Sequence, residues 1–209
     1  MNEDKLTINQ EVDNKIEAGL QLIPYIGGAL ATLYFGRKQQ REFNRISNFY
    51  IELSEELKGL KGKLSLDNQD EAKLMTLIEK VNNKIEKEVI KEKINYFKNY
   101  FRKILVQPVK DDYDEKVFFL DSLASMSLLE IEILTFLNSR NDFIQIGVIQ
   151  KPGIEQYAIF GAFGRLRNLG FLQSAGGSFS LGDKSDNYLK ELVKVSPFGK
   201  EFIGFCLKV

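Results

Sequence analysis

Side chains that carry out acid–base, nucleophilic or metal chemistry are almost missing from this chain. Its 209 residues contain no His and no Trp, and its one cysteine is Cys206. Without histidine there is no Ser-His-Asp or Cys-His pair, no HExxH zinc helix and no Cys/His zinc cluster, and one cysteine permits no internal disulfide. The sequence has neither GxxxxGKS/T nor a GxGxxG placed between a strand and a helix, so no loop of known type cradles a phosphate. The expectation is therefore no catalytic residue, no cofactor and no metal site, and a role that is not enzymatic.

What remains is charge and contact. Lys+Arg 29 against Asp+Glu 29 gives no net charge, which disfavours both a strongly basic nucleic-acid binder and an acidic nucleic-acid mimic. The sign alternates along the chain: residues 1–36 and 106–126 are acidic, 37–63 and 64–105 basic, and 127–209 close to neutral. Candidate nucleic-acid contacts are Gln156, Tyr157, Arg165 and Arg167, with Asn168, in the segment IEQYAIFGAFGRLRNLG (154–170). Its apolar majority, Ile154, Ala158, Ile159, Phe160, Phe163, Leu166 and Leu169, leaves little free surface, and Glu155 stands at its start. Tight DNA binding draws on several phosphate contacts, so protein contact is favoured over DNA for this segment. KINYFKNYFRK (93–103) mixes aromatics and cations, but Phe97 and Phe101 at i, i+4 share one helix face, which reads as core with lysines on the other side.

The most unusual segment is AGLQLIPYIGGALATLYFG, residues 18–36, a run without charge between Glu17 and the cations Arg37, Lys38, Arg41 and Arg45. Its length approaches that of a membrane span, and the basic cluster after it fits a cytoplasmic flank. Gly28, Thr32 and Gly36 add small-xxx-small spacing. Pro24, Gly27 and Gly28 interrupt it, which favours two helical ends joined by an apolar turn, buried or used as an oligomer seam; membrane contact is the rival. Leu22, Ile23, Pro24, Tyr25, Ile26, Gly27 and Gly28 are thus the expected assembly or membrane-contact residues.

Behind that segment, Phe43, Ile46, Tyr50, Leu53, Leu57 and Leu60 repeat at spacings of three and four, predicting a helix from about Ala29 to Leu60 with a narrow apolar seam. The seam should bury itself against the same chain or a second copy. Gly59 and Gly62 end the helix, and Asp67 is the expected cap of a second. Leu74, Ile78, Val81, Ile85 and Val89 continue toward Phe97, Phe101 and Ile104 without a proline, predicting one long helix and an antiparallel hairpin. KDDYDE (110–115) reads as an acidic linker or cap, followed by the apolar helical stretch VFFLDSLASM.

Ser127 and Glu130 form a capping box for a helix to about Asn138. FIQIGVI (143–149) reads as a strand, Ile154 to Leu169 as a helix closed by Gly170, and FLQ and YLKELVKV as strands around the SAGGS turn. Ser196-Pro197 starts a last helix. The expected fold is mainly α with a small α+β part: a helical hairpin region over 1–112 with its apolar turn at 18–36, then a winged-helix-like domain over 113–209.

RLRNLGFL (165–172) followed by VSPFGKEF (195–202) resembles the recognition helix, strand and closing helix of bacterial winged-helix proteins, over roughly residues 127–205. Only about fifteen residues, read mostly as strand, separate the first helix (to about Asn138) from the recognition helix, so the usual second helix is missing or reduced. The IPYIGG segment leading into a basic helix, YFKNYF, SLLEIEILTFL and SPFGKEFIGFC together resemble small bacterial and prophage proteins of the abortive-infection alpha type. That resemblance implies a part in bacteriophage defence or superinfection exclusion and carries no catalytic residue with it. The acidic N-terminus, without an apolar stretch after a basic start, is not expected to direct secretion, so a cytoplasmic homo-oligomer, with membrane association as the rival, is expected. The competing functions are a DNA-binding regulator and a membrane-perturbing effector acting through 18–36.

Overall fold

The computed structural model describes residues 40–58, 70–140, 142–175 and 187–208. Among these are seven α-helices and one three-stranded antiparallel sheet, grouped into two compact units that divide between Ala124 and Ser125. The expected segment Leu22–Gly28, Leu60 of the seam, Gly59, Gly62, the Asp67 cap and most of the SAGGS turn lie outside the described residues.

The first unit contains helices α1 (Gln40–Lys58), α2 (Glu71–Ile85), α3 (Lys91–Val106) and α4 (Tyr113–Ser125, all but its last residue). The seam residues Ile46, Tyr50, Leu53 and Leu57 are buried, with Phe49, by helices of the same chain. Leu74, Leu77, Ile78, Val81 and Ile85 of α2 and Phe97, Tyr100, Phe101, Ile104 and Leu105 of α3 complete this core. Phe49, Tyr50 and Phe101 form an edge-to-face trio with centroids 5.3 to 5.9 Å apart. The Tyr50 hydroxyl donates to Asn82 Oδ1 at 2.6 Å, and burial pushes its phenol well above the ordinary value. At the rim Lys98 meets Glu52 at 3.0 Å and Glu56 at 3.3 Å, while Arg102 reaches Glu56 at 3.0 Å. Burial by itself lowers the Lys98 ammonium, but the two carboxylates win and hold it above its ordinary value.

The predicted single long helix is interrupted: α2 ends at Ile85 and α3 begins at Lys91. No proline or glycine causes the break. The Glu88 carboxylate accepts from the amides of Val89 and Ile90, both at 3.0 Å, and pairs with Lys93 at 3.0 Å. Arg45 Nε donates to the Glu86 carbonyl at 2.7 Å, which serves an acceptor that helix continuation would have used. Val89, which the apolar period places in the core, is instead 77% exposed. The hairpin is therefore a helical bundle, with α1, α2 and α3 in mutual contact. Asp70, not Asp67, caps α2, accepting from the Lys73 amide at 3.1 Å.

KDDYDE is part cap and part helix, since α4 starts at Tyr113. The buried Lys116 joins Asp112 at 2.6 Å and the Pro108 carbonyl at 3.1 Å. Tyr100 donates to the Lys116 carbonyl at 2.8 Å and Lys93 to that of Ala124 at 2.8 Å. These bonds tie α4 to α3, which is why the units part after Ala124 rather than at 112/113.

In the second unit, α5 (Leu128–Asn138) carries the capping box as expected, with Ser127 Oγ accepting from the Glu130 amide and Glu130 Oε2 from the Ser127 amide. The expected strand 143–149 is only β1 (Ile144–Gln145), followed by a 3₁₀ turn (Ile146–Val148). The turn forms where Gly147 lies so close to Leu189 that a Cβ would stand 2.7 Å from the Leu189 carbonyl oxygen. Helix α6 (Gln156–Asn168) follows, then β2 (Leu172–Ala175), a 3₁₀ turn (Asn187–Lys190) and β3 (Leu192–Val195). The sheet order is β1-β3-β2, with Ile144 opposite Val193 and Leu172 opposite Val195.

Gly170, at φ +74°, ends α6. Ser196 then caps α7 (Pro197–Phe202) by accepting from the Gly199 amide at 2.9 Å, and a π-helical turn (Ile203–Leu207) follows. Phe171 stacks on Phe202 at 4.3 Å, which fixes α7 against the strand that follows α6. No helix among the described residues is long and apolar enough to cross a membrane.

Candidate interaction face on helix α6

Helix α6 begins where the chain turns at Gly153, φ +79°, and Glu155 caps it by accepting from the amides of Tyr157 at 2.7 Å and Ala158 at 3.2 Å. Ile159, Ala162, Phe163 and Leu166 form the inner stripe, packed on α5 and β2. That leaves an outer face of Ile154, Tyr157, Ala158, Gly161, Gly164, Arg165 and Asn168, half-buried at Gly164 and otherwise exposed. Ile154 and Ala158, expected in the core, are thus on the surface. Tyr157 is 69% exposed, and Val148, in the turn before α6, is 65% exposed. Gly161 and Gly164 have open space where a Cβ would stand. Two helix-interior glycines cost about 1 kcal/mol each relative to Ala, with no close approach among the described residues to account for them.

The four candidate nucleic-acid contacts are placed on or beside this face, but three are engaged within the chain. Gln156 Nε2 donates to the Ile149 carbonyl at 3.3 Å. Arg165 Nε lies 2.6 Å from Glu130 Oε1 and its Nη2 donates to the Ser125 carbonyl at 2.9 Å. Arg167 pairs with Glu191, which also accepts from the Ser174 hydroxyl; the buried Arg167 Nε has no hydrogen-bond partner among the described residues. Lys151 pairs with Glu132, and Lys194 sits 4.4 Å above the Phe143 ring. Of the four, Tyr157 presents its side chain outward with no such engagement among the described residues.

The carboxylates of Glu130 and Glu191 are what sequence reasoning missed. The capping-box pattern identifies Glu130 as a cap but gives no hint that it also receives an arginine from α6. Glu191 lies 24 residues from Arg167, and only the β3 register brings it there. The aromatic stretch 93–103 is no stacking surface, since Phe97, Tyr100 and Phe101 are all buried.

Among the described residues no three acidic or Cys side chains are grouped to hold a metal ion. Cys206 is buried, and burial pushes its thiol well above the ordinary value, away from the nucleophilic thiolate. Comparison with protein-family models, with curated proteins and with solved structures returns no match.

Proposed function

We propose that this chain is a non-enzymatic interaction protein whose second unit is a winged-helix-like domain used for protein contact. The order α5, β1, α6, β2, β3, α7 and the antiparallel β1-β3-β2 sheet support the winged-helix reading. The 3₁₀ turn Ile146–Val148 stands where such a domain has its second helix, so the usual support for a helix lying in the major groove is reduced. One observation carries the reading: the arginines of α6 face internal carboxylates, while the outward surface is Tyr157, Ile154 and Val148. A phosphate would have to displace Glu130 or Glu191, whereas a protein surface would bury the exposed aromatic and aliphatic groups directly.

A place in bacteriophage defence rests on the resemblance at Leu22–Gly28 and Ser196–Cys206, and the protein contacts are the means by which it would act. The test is expression in a bacterial host challenged with a panel of phages, comparing the wild type with Tyr157→Glu. Reduced plating on the wild type that Tyr157→Glu abolishes, with both proteins equally folded, is the expected result. Protection retained by Tyr157→Glu overturns the role of this face, and protection from none of the phages overturns the defence reading.

A further inference from the structure

Between α2 and α3 the helix is stopped by side chains where the backbone is nearly ready to continue. Helical bonds are in place on both sides of the turn: the Glu88 amide donates to the Lys84 carbonyl at 3.1 Å, and the Ile94 amide to the Ile90 carbonyl at 3.2 Å. Glu86 already has helical angles, φ −53° and ψ −34°, while Ile90 is extended at φ −88° and ψ 113°. A continuous helix would need new partners for the amides of Val89 to Lys93, and those of Val89 and Ile90 are served in the turn by the Glu88 carboxylate. We propose that 86–90 is a hinge through which this chain exchanges helices with a second copy. In the exchanged dimer α2 and α3 join into one helix, Glu71 to Val106, and α1 and α2 of each copy pack on α3 of the other. The exchange involves the first unit and does not depend on any contact made through α6.

Three observations name a second copy as the partner. First, the hairpin is antiparallel along its length: the Asp70 amide before α2 donates to the Val109 carbonyl after α3 at 3.3 Å, and Lys73 Nζ to the Lys110 carbonyl at 3.0 Å. Joining the helices would carry these ends about 50 Å apart, at about 1.5 Å per residue. The core is then rebuilt by a molecule bearing the same side chains, with Phe49 and Tyr50 against Phe101, and Glu52 and Glu56 against Lys98 and Arg102. Second, no proline or glycine lies between Glu71 and Val106, and a short hinge without either invites exchange. Third, Val89 is 77% exposed in the turn, and in the joined helix it would stand one turn beyond the buried Ile85 on the same face. Opposing these, joining gives up the Lys93–Glu88 pair and the bond from Arg45 to the Glu86 carbonyl. The closed chain is therefore the dilute form, and exchange grows with concentration.

The test is the native mass of the full-length protein after refolding from denaturant over a range of concentrations. The expected result is a dimer whose share rises with refolding concentration and which persists on dilution, since release requires the core to open. Lys91→Pro falls at the first position of α3, behind the extended Ile90, where proline suits the turn; in the joined helix it would be interior and break it. It should keep the melting temperature of the monomer and cut the dimer yield at least tenfold. Glu88→Ala removes the acceptor that stops α2 and should raise the yield, and Lys91→Pro added to it should return the chain to monomer. Lys73→Cys with Lys110→Cys, carrying donor and acceptor dyes on one chain refolded with excess unlabelled protein, reads the hinge directly, Cys206 being buried and left in place. Energy transfer should be high in the monomer and fall in the dimer.

Refolding to monomer alone at every concentration overturns the proposal. So does a dimer that Lys91→Pro forms as readily as the wild type, or one in which the two labels of a chain stay close.

Discussion

Arg165 and Glu130 meet at 2.6 Å between α6 and α5, so the cation best placed on α6 for a phosphate already faces an anion. The same carboxylate closes the capping box with Ser127, whose amide and hydroxyl both donate to it. One glutamate thereby starts α5 and neutralises α6. Glu130→Ala should accordingly destabilise the second unit by about 2 kcal/mol, the upper end of the cost of losing a helix cap, because the Ser127 amide is left without its acceptor. Urea unfolding with an unchanged m-value checks this, and a loss within error of zero would show that the box contributes nothing.

Gly199 and Gly161 should respond in opposite directions to the same substitution. A Cβ on Gly199 would lie 2.3 Å from the Phe171 carbonyl oxygen and 2.9 Å from Val195 Cγ1, so Gly199→Ala must push α7 off the strand it packs on. Gly161 has open space, and Gly161→Ala should stabilise by about 1 kcal/mol through helix propensity. Thermal unfolding of the two variants side by side reads both signs.

Leu53 sits in the α1 seam at 1% exposure, buried by its own chain. Leu53→Ala should cost about 3 kcal/mol, as for other large-to-small changes in a packed core, and leave the native mass of the folded protein unchanged. A change in oligomer size with little loss of stability would mean that the seam joins two copies instead.

Acid should weaken the first unit. Burial pushes the Glu88 carboxyl up, but the Ile90 amide, the Lys93 ammonium and the Val89 amide outweigh it and hold it below its ordinary 4.5. Asp112 is lowered likewise, its burial outweighed by Lys116 and the Lys110 amide. A folded-state value below the unfolded one gives stability that is present above the unfolded value and lost as pH falls through the folded one. Stability should therefore decline below pH 4.5. Glu88→Gln keeps an acceptor for the two amides but cannot titrate, and should make that decline shallower in denaturant titrations at pH 3 to 7, roughly the range over which carboxylates titrate.

Much of the second unit is legible in the sequence because its signals are local. Ser127 and Glu130 three apart, Ser196 before Pro197, and Gly170 after a periodic run each specify a boundary through hydrogen bonds or backbone angles within one turn. The break at 86–90 is not legible, since the apolar period continues through Ile85 and Val89 and what stops the helix is the Glu88 side chain turned onto its own backbone. The strand at 143–149 fails for a related reason: its β-branched residues suit a strand, but the approach of Gly147 to Leu189 is a long-range fact. The neutralised arginines of α6 are of the same kind, depending on α5 packing and on the β3 register rather than on spacing.

The central claim, that α6 is spent on protein contact and not on a DNA groove, meets its most direct test in a fluorescence anisotropy titration of a labelled random-sequence duplex pool at about 0.15 M salt. The account predicts no saturable rise with the wild type, and none with Arg165→Ala. A saturable rise that falls steeply with salt, and whose salt slope drops by about one in Arg165→Ala, would contradict it and make the chain a DNA-binding protein.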